Sequence, residues 1–339
     1  MDFEKKMIKK INEILPGGKS RLTSVFESDS ELVELTREHI LFTMDEFSAE
    51  DLFLDSNPYK LGWNMAIGGV CDILASGGEP VYYAHSMVTA ARWDEEYIKN
   101  FATGISDVLS KLGIVFIGGD FGRGTDWRYT TVVIGRPSGN RLTRFGAKPG
   151  DLIYISGEVG RGNIEAALKL NESDQRLTPF LEDTGNKFEL RYRESLLIKE
   201  FASTCIDTSD GVLNAAQTIA ENNNTGFILE NIPYLESGLK LSSILSIPKE
   251  LLAMGECGEY ELLFTIDPKK ENDFTEKALK ENLKFFKLGY LKPPGKNILF
   301  SKDKEIDLSN FNIRARDFIA VQNYLETVIN FINTGKVNN

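Results

Sequence analysis

Histidine is almost missing from this sequence: 339 residues contain two, His39 and His85. Both fall in runs that read as strands, EHILFTMD and VYYAHSMV, where a hydrogen-bonded sheet histidine is the plain reading. Two isolated imidazoles do not make a zinc site of the HExxH or Cys/His kind, and they are poorly placed for a Ser-His-Asp or Cys-His pair. Cysteine is as scarce. Cys71, Cys205 and Cys257 are odd in number, far apart and outside CxxC spacing, which argues against a disulfide framework and for free thiols in a reducing cytoplasm. No stretch approaches the ~20 consecutive apolar residues that cross a bilayer. The opening MDFEKKMIKKINEIL reads as an amphipathic helix without a signal-peptide core, so a cytoplasmic protein without a membrane partner is expected. Positive charge is not in excess either: 39 basic against 50 acidic residues leave a net charge of −11. The basic residues are interspersed, and such a field repels phosphate backbones, so nucleic acid is not an expected partner.

Any chemistry must therefore run on carboxylates, backbone dipoles, Arg and Lys, or a hard metal held by oxygen. The remaining composition, 42% hydrophobic and 26% charged, is ordinary globular material at a length that usually divides in two. Patterning predicts helices over about 3–15, 60–76, 94–112, 161–170, 187–202, 211–222 and 271–281, and strands near 39–45, 80–90, 114–120, 127–136, 226–230, 260–266 and 283–289. A further strand is expected at DLIYISG. Strands 114–120 and 127–136 are too close in sequence for a crossover helix, so they should pair antiparallel in a mixed sheet. The fold class expected is α+β. The turn-rich GAKPG at 146–150 divides an N-terminal domain (1–148) from a C-terminal α/β domain (149–325), with a frayed tail over 326–339.

Two glycine-rich motifs are tempting. Gly18-Lys19-Ser20 would need the first P-loop glycine at Glu13 and follows a helix, so it is no P-loop. GEVGRG at 157–162 lies between a strand and a helix, but its glycine order is not that of a dinucleotide loop; it reads as a plain turn or a backbone anion nest. The aspartates are more informative. Asp45 and Asp120 end apolar strands, Asp72 sits in the last turns of a helix, where the dipole disfavours it, and Asp207 and Asp210 flank Ser209 in IDTSDG. Each singly has a structural explanation as a cap, turn or solvated group. Together they resemble the oxygen-only set that magnesium prefers, and magnesium held by carboxylates usually works with substrate phosphates. Nucleotide-dependent phosphoryl transfer without a P-loop follows.

LGWNMAIGGVCDILASGGEP, IGGDFGRG, RLTRFGAKPGD, IDTSDG and GEYELLF, in that order across about residues 20–320, resemble the successive signatures of the thiamine-monophosphate kinase family. That family lies in the superfamily of aminoimidazole ribonucleotide synthetase and selenophosphate synthetase. The resemblance implies an N-terminal domain that dimerises through its sheet, a C-terminal α/β domain, and ATP with Mg2+ between them. Carried over by position, it implies metal ligands at Asp29, Asp45, Asp72, Asp120, Asp207 and Asp210. It implies ATP contacts from Thr43, Gly119, Asp120, Arg144 and Ser209, with Asp120, Asp210 and Arg144 in the catalytic role. The family's acceptor-side histidine falls on Leu52, and its Gly-Gly-Glu-Asp falls on Glu256-Cys257-Gly258-Glu259, so the acceptor pocket is expected to differ more than the ATP side. The expected activity is an ATP-dependent kinase acting on thiamine monophosphate or a related phosphorylated small molecule. The alternatives are a synthetase that activates a carbonyl or amide oxygen, and a nucleotide-binding regulator without turnover.

Overall fold

The computed structural model describes Lys9 and residues 20–35, 38–181, 187–301 and 304–335. The helix expected over 3–15 lies, Lys9 apart, outside these residues, as do Gly18 and Lys19.

The N-terminal half is a five-stranded mixed sheet carrying two helices on one face. Its strands are β1 (Glu31–Leu35), β2 (Glu38–Ser48), β3 (Gly78–Ala90), β4 (Val115–Gly124) and β5 (Arg128–Pro137), in the order β1-β2-β5-β3-β4. The mixed sheet is as expected, but the pairing of the last two strands is not. β4 pairs parallel with β3, reached through the crossover helix α2 (Glu95–Leu112), and β5 inserts antiparallel between β2 and β3. The short link 125–127 passes the end of β3 instead of forming a hairpin, because β3 and the helix before β4 already make a complete βαβ unit.

Helix α1 (Pro58–Ala75) starts on an Asn57 side chain that accepts from the Lys60 amide at 3.0 Å, with Pro58 at its first position. It packs tightly on α2 because two glycines face each other's backbone. A Cβ on Gly62 would come to 1.9 Å from the Phe101 carbonyl oxygen, and one on Gly104 to 2.1 Å from that of Tyr59.

The C-terminal half holds a seven-stranded sheet built from β6 (Leu152–Ile155), β7 (Ala202–Asp207), β8 (Gly226–Leu229), β9 (Leu262–Ile266), β10 (Phe286–Lys292), β11 (Ile298–Ser301) and β12 (Lys304–Asp307), in the order β12-β11-β8-β10-β6-β9-β7. Helices α3 (Arg161–Leu170), α4 (Tyr192–Phe201), α5 (Val212–Asn222), α6 (Glu236–Leu245), α7 (Glu271–Lys280) and α8 (Val321–Thr334) cover it. The tail expected to fray from 326 is ordered through α8, which buries Val328, Phe331 and Ile332. Burial of one apolar stripe outweighs the polar ending TGKVNN, whose last four residues lie outside the described chain.

One hydrophobic core spans both halves. Phe47 and Phe53 meet Phe188 and Tyr260 edge-on or tilted, with ring centroids 5.2–6.2 Å apart. Trp63 Nε1 donates to the Phe188 carbonyl at 2.8 Å. A buried pair, Lys60 Nζ to Glu165 Oε2 at 3.3 Å, joins α1 to α3, and Glu165 Oε1 also accepts from the Leu54 amide at 3.1 Å. No helix among the described residues is long and apolar enough to cross a membrane.

Candidate active site

Four separate pieces of chain bring carboxylates to one point. Asp29 sits in the turn before β1, Asp45 on β2, Asp72 on α1 and Asp207 at the end of β7. Carboxylate oxygens of Asp29, Asp72 and Asp207 all lie within 4.8 Å of one another. At that spacing each pair of like charges repels by roughly 3 kcal/mol at an effective dielectric near 20. Burial, then the neighbouring carboxylates Asp207 and Asp29, push the Asp45 carboxyl up to about 7. Burial and mutual repulsion likewise raise Asp72 and Asp207 well above the usual carboxylate range. Asp29 is raised by burial although the Arg144 guanidinium offsets part of it; that guanidinium reaches Asp29 Oδ1 through Nη2 and, at 3.1 Å, through Nε. The Thr43 hydroxyl donates to Asp72, and Ser209 Oγ donates to Asp207 Oδ1 at 3.0 Å. These bonds leave Asp29 Oδ2, Asp45 Oδ2 and Asp207 Oδ2 buried with no hydrogen-bond partner. Acceptor-only oxygens, crowded, dry and unsatisfied, are the donor set a hard divalent cation completes. The Arg144 charge also acts on Asp72, but less than burial and the neighbouring carboxylates do.

The cluster separates two cavities. One, of about 800 Å³, is lined by Arg21, Arg144, Arg314 and Arg316 together with the acids Glu31, Asp207, Asp210 and Glu221. The other, of about 770 Å³, has an apolar wall that includes Leu241, Leu245, Leu252 and Ile329, and an acidic side that includes Asp45, Glu50 and Asp51. Asp207, Ser209 and Asp210 line both. The Asp207–Asp210 turn is held close to the GECGE segment, where a Cβ on Gly258 would meet the Ser209 carbonyl oxygen at 2.0 Å.

Thr43, Asp29, Asp45, Asp72, Arg144, Asp207, Ser209 and Asp210 are thus brought together as the sequence implied. Gly119 and Asp120 are not, within one chain. Asp120 is exposed on the edge strand β4, and its row of the sheet runs through Ser86 and Thr130 to Glu46. Three strand spacings put it roughly 14 Å from the strand that carries Asp45. The anion nest considered at 157–162 is filled from inside: Glu259 Oε2 accepts from the Gly160 and Arg161 amides at 2.6 and 2.9 Å. Burial pushes that carboxyl up to about 8. Glu256 is also engaged, accepting from Arg314 Nη1 at 2.9 Å and the Ala315 amide at 2.6 Å. Glu256 lines the second cavity while so engaged, and Glu259 does not line it. His85 is a sheet histidine, with Nδ1 2.9 Å from the Tyr129 hydroxyl. Sequence reasoning missed Arg314, Arg316 and the apolar wall; the only signal was the IRAR run at 313–316, which carries no periodicity.

Residues 27–136 match the family model described as AIR synthase related protein, N-terminal domain. The fold is shared with the solved thiamine monophosphate kinase of Aquifex aeolicus (TM-score 0.70, 20% identity, 90% of this chain and 99% of that one). It is also shared with the structure described as AaThiL complexed with AMPPCP and TMP (TM-score 0.70, 21% identity, 89% and 94%), and with hydrogenase maturation protein HypE in complex with ATP (TM-score 0.65, 16% identity, 83% and 88%). The matched N-terminal segment and the shared fold are those of an AIR synthase-related protein. Among curated relatives, the thiamine-monophosphate kinase of Pyrococcus horikoshii is 32% identical over 218 residues, 63% of this chain and 67% of its own length. That of Escherichia coli K12 is 26% identical over 236 residues, 68% and 72%. The chain belongs to the thiamine-monophosphate kinase family.

Proposed function

We propose that this chain is an ATP- and magnesium-dependent kinase that transfers the γ-phosphoryl group of ATP to the phosphate of thiamine monophosphate or a closely related phosphate monoester. The observation that carries the reading is the meeting of an arginine-bearing cavity and an apolar, acid-rimmed cavity at one cluster of unsatisfied carboxylates. Polyphosphate suits the first. An organic acceptor suits the second, and its acidic side favours a cationic ring such as the thiazolium of thiamine. Asp29, Asp45, Asp72 and Asp207 would hold magnesium, which when bound offsets the charge of the phosphates during in-line transfer. Arg144 orients Asp29 and faces the nucleotide cavity. A phosphate-monoester acceptor is already ionised at neutral pH, so no general base is required, and the lack of a nearby histidine costs nothing.

The reading includes a homodimer in a reducing cytoplasm. Edge strand β4 exposes Val115, Phe116, Ile117 and Phe121 at 49–59% of their surface, an apolar row that a second copy of the sheet would cover. Asp120 and Gly119, remote from their own chain's cluster, would enter the site from the partner side of that dimer. The division between the two domains is placed at 148/149, in the turn before β6. The deciding assay measures ADP release from ATP and magnesium with thiamine monophosphate. Thiamine diphosphate and ADP in equal amounts support the kinase, ADP with free phosphate points to a synthetase, and ATP binding without acceptor-dependent ADP leaves a regulator.

A further inference from the structure

The acceptor cavity poses an electrostatic problem. Its lining includes Asp45, Glu46, Glu50, Asp51, Asp72 and Asp207, and Arg316 is the single basic side chain among its described lining residues. Arg316 also lines the nucleotide cavity, one of four residues common to both, with Asp207, Ser209 and Asp210. Its guanidinium lies 3.8 Å from Asp210 Oδ2 and is 37% exposed. A phosphate entering so acidic a pocket needs a cation beside it, and a guanidinium offers two parallel donors to phosphate oxygens.

The position of Arg316 is set by the segment that departs from the family pattern. Arg316 lies in a short turn, Ala315–Asp317. Glu256 grips the residues just before it, accepting from Arg314 Nη1 at 2.9 Å and the Ala315 amide at 2.6 Å, while its own amide donates to the Tyr324 hydroxyl at 3.2 Å. The Arg314 and Glu256 side chains are only 10% and 11% exposed, so this is a fixed mount. We propose that Arg316 binds the phosphate of the acceptor and that Glu256 is the positioning residue that places Arg316 between the two cavities. The inference rests on the reading of the acceptor as a phosphate monoester, and it gives the altered GECGE loop a use: Glu256, on the wall of the acceptor cavity, anchors the segment that carries the cation.

The test is equilibrium binding with magnesium and a non-hydrolysable ATP analogue, using thiamine monophosphate, unphosphorylated thiamine and inorganic phosphate as separate probes. Arg316→Gln is expected to weaken thiamine monophosphate and inorganic phosphate by roughly 10- to 100-fold, with thiamine and the ATP analogue changed by less than about threefold and the melting temperature unmoved. Arg316→Lys should fall between. Glu256→Gln should weaken the phosphorylated probe less than Arg316→Gln does, and the double variant should be no worse than Arg316→Gln alone, the non-additivity of one residue acting through another. Equal loss for thiamine and its phosphate, loss confined to the ATP analogue, full additivity, or unchanged affinity each overturns the proposal. A wild-type protein that binds inorganic phosphate through Arg316 yet neither binds nor phosphorylates thiamine monophosphate supports the proposal while sinking the thiamine reading. A wild type that binds no phosphate probe sinks both.

Discussion

The two cavities that share Asp207, Ser209 and Asp210 solve opposite problems with the same aspartates between them. The nucleotide side mixes arginines with the acids, whereas the acceptor side, Arg316 apart, adds leucine, isoleucine and more acid. The acidic cluster is tuned unevenly: Arg144 restrains Asp29 and acts on Asp72 and Asp207, while among the described residues no basic group offsets Asp45, whose carboxyl burial and its neighbours lift to about 7.

Removing a shared residue should break both sides at once. Asp207→Asn is expected to lower turnover by about 10³-fold or more, the scale of losing a charge-stabilising group at a phosphoryl-transfer site, and to leave or raise the melting temperature in EDTA because one repulsive charge is gone. ADP release and calorimetry on the same preparation check this, and a near-wild-type rate would dissociate the cluster from catalysis. The next effect sharpens the dimer reading. Asp120→Asn and Asp207→Asn proteins, each impaired alone, should recover about a quarter of wild-type activity after mixing and subunit exchange, since half the dimers are mixed and each mixed dimer holds one intact site. No recovery would keep Asp120 out of a shared site.

Arg144→Met attacks the restraint on the nucleotide side. It leaves Asp29 buried without its cation, a defect worth about 3–5 kcal/mol when a buried pair loses one member, partly relieved by protonation of Asp29. Denaturant unfolding in EDTA would reveal it, and magnesium should recover part of the loss. The mildest test is pH. Asp45, raised from 3.8 to about 7, and Glu259, raised from 4.5 to about 8, bind more protons folded than unfolded, so stability is greatest below their unfolded values and is lost as pH rises through the folded ones. In EDTA the melting temperature should therefore fall between pH 5 and pH 8, and magnesium should flatten the Asp45 part of the slope while leaving that of Glu259. A melting temperature that rises with pH across this window would contradict the assignment.

Part of the acidic site was legible because its residues sit where chain patterning breaks: Asp207 at a strand's end, Asp72 near a helix end, and the Ser-Asp-Gly turn at 209–211, whereas Asp45 and Asp120, read as strand ends, lie inside β2 and β4, which run on to Ser48 and Gly124. The fold class and most elements were legible for the same reason, since apolar periodicity marks what is buried. What the sequence hid was long-range. The insertion of β5 between β2 and β3 depends on which unit claims the edge of β3, a choice that local spacing does not encode. β7 was hidden because FASTCID follows a helix without a break, and α8 because its apolar stripe abuts a polar tail. The family's acceptor motif falls on Glu256 to Glu259, and only three-dimensional packing shows Glu259 capping a helix and Glu256 clamping Arg314.

The aromatic seam between the halves bears on how the molecule comes apart. Phe47 and Trp63 from the N-terminal half are 4% and 5% exposed, and their neighbours include Phe188 and, for Phe47, Tyr260, from beyond residue 149. A fragment ending at the GAKPG turn would carry that sticky surface into water and is expected to aggregate when made alone. The whole chain should melt in a single calorimetric transition whose van't Hoff and measured enthalpies agree, and the donor and acceptor cavities, sharing one rigid floor, form or vanish as a pair.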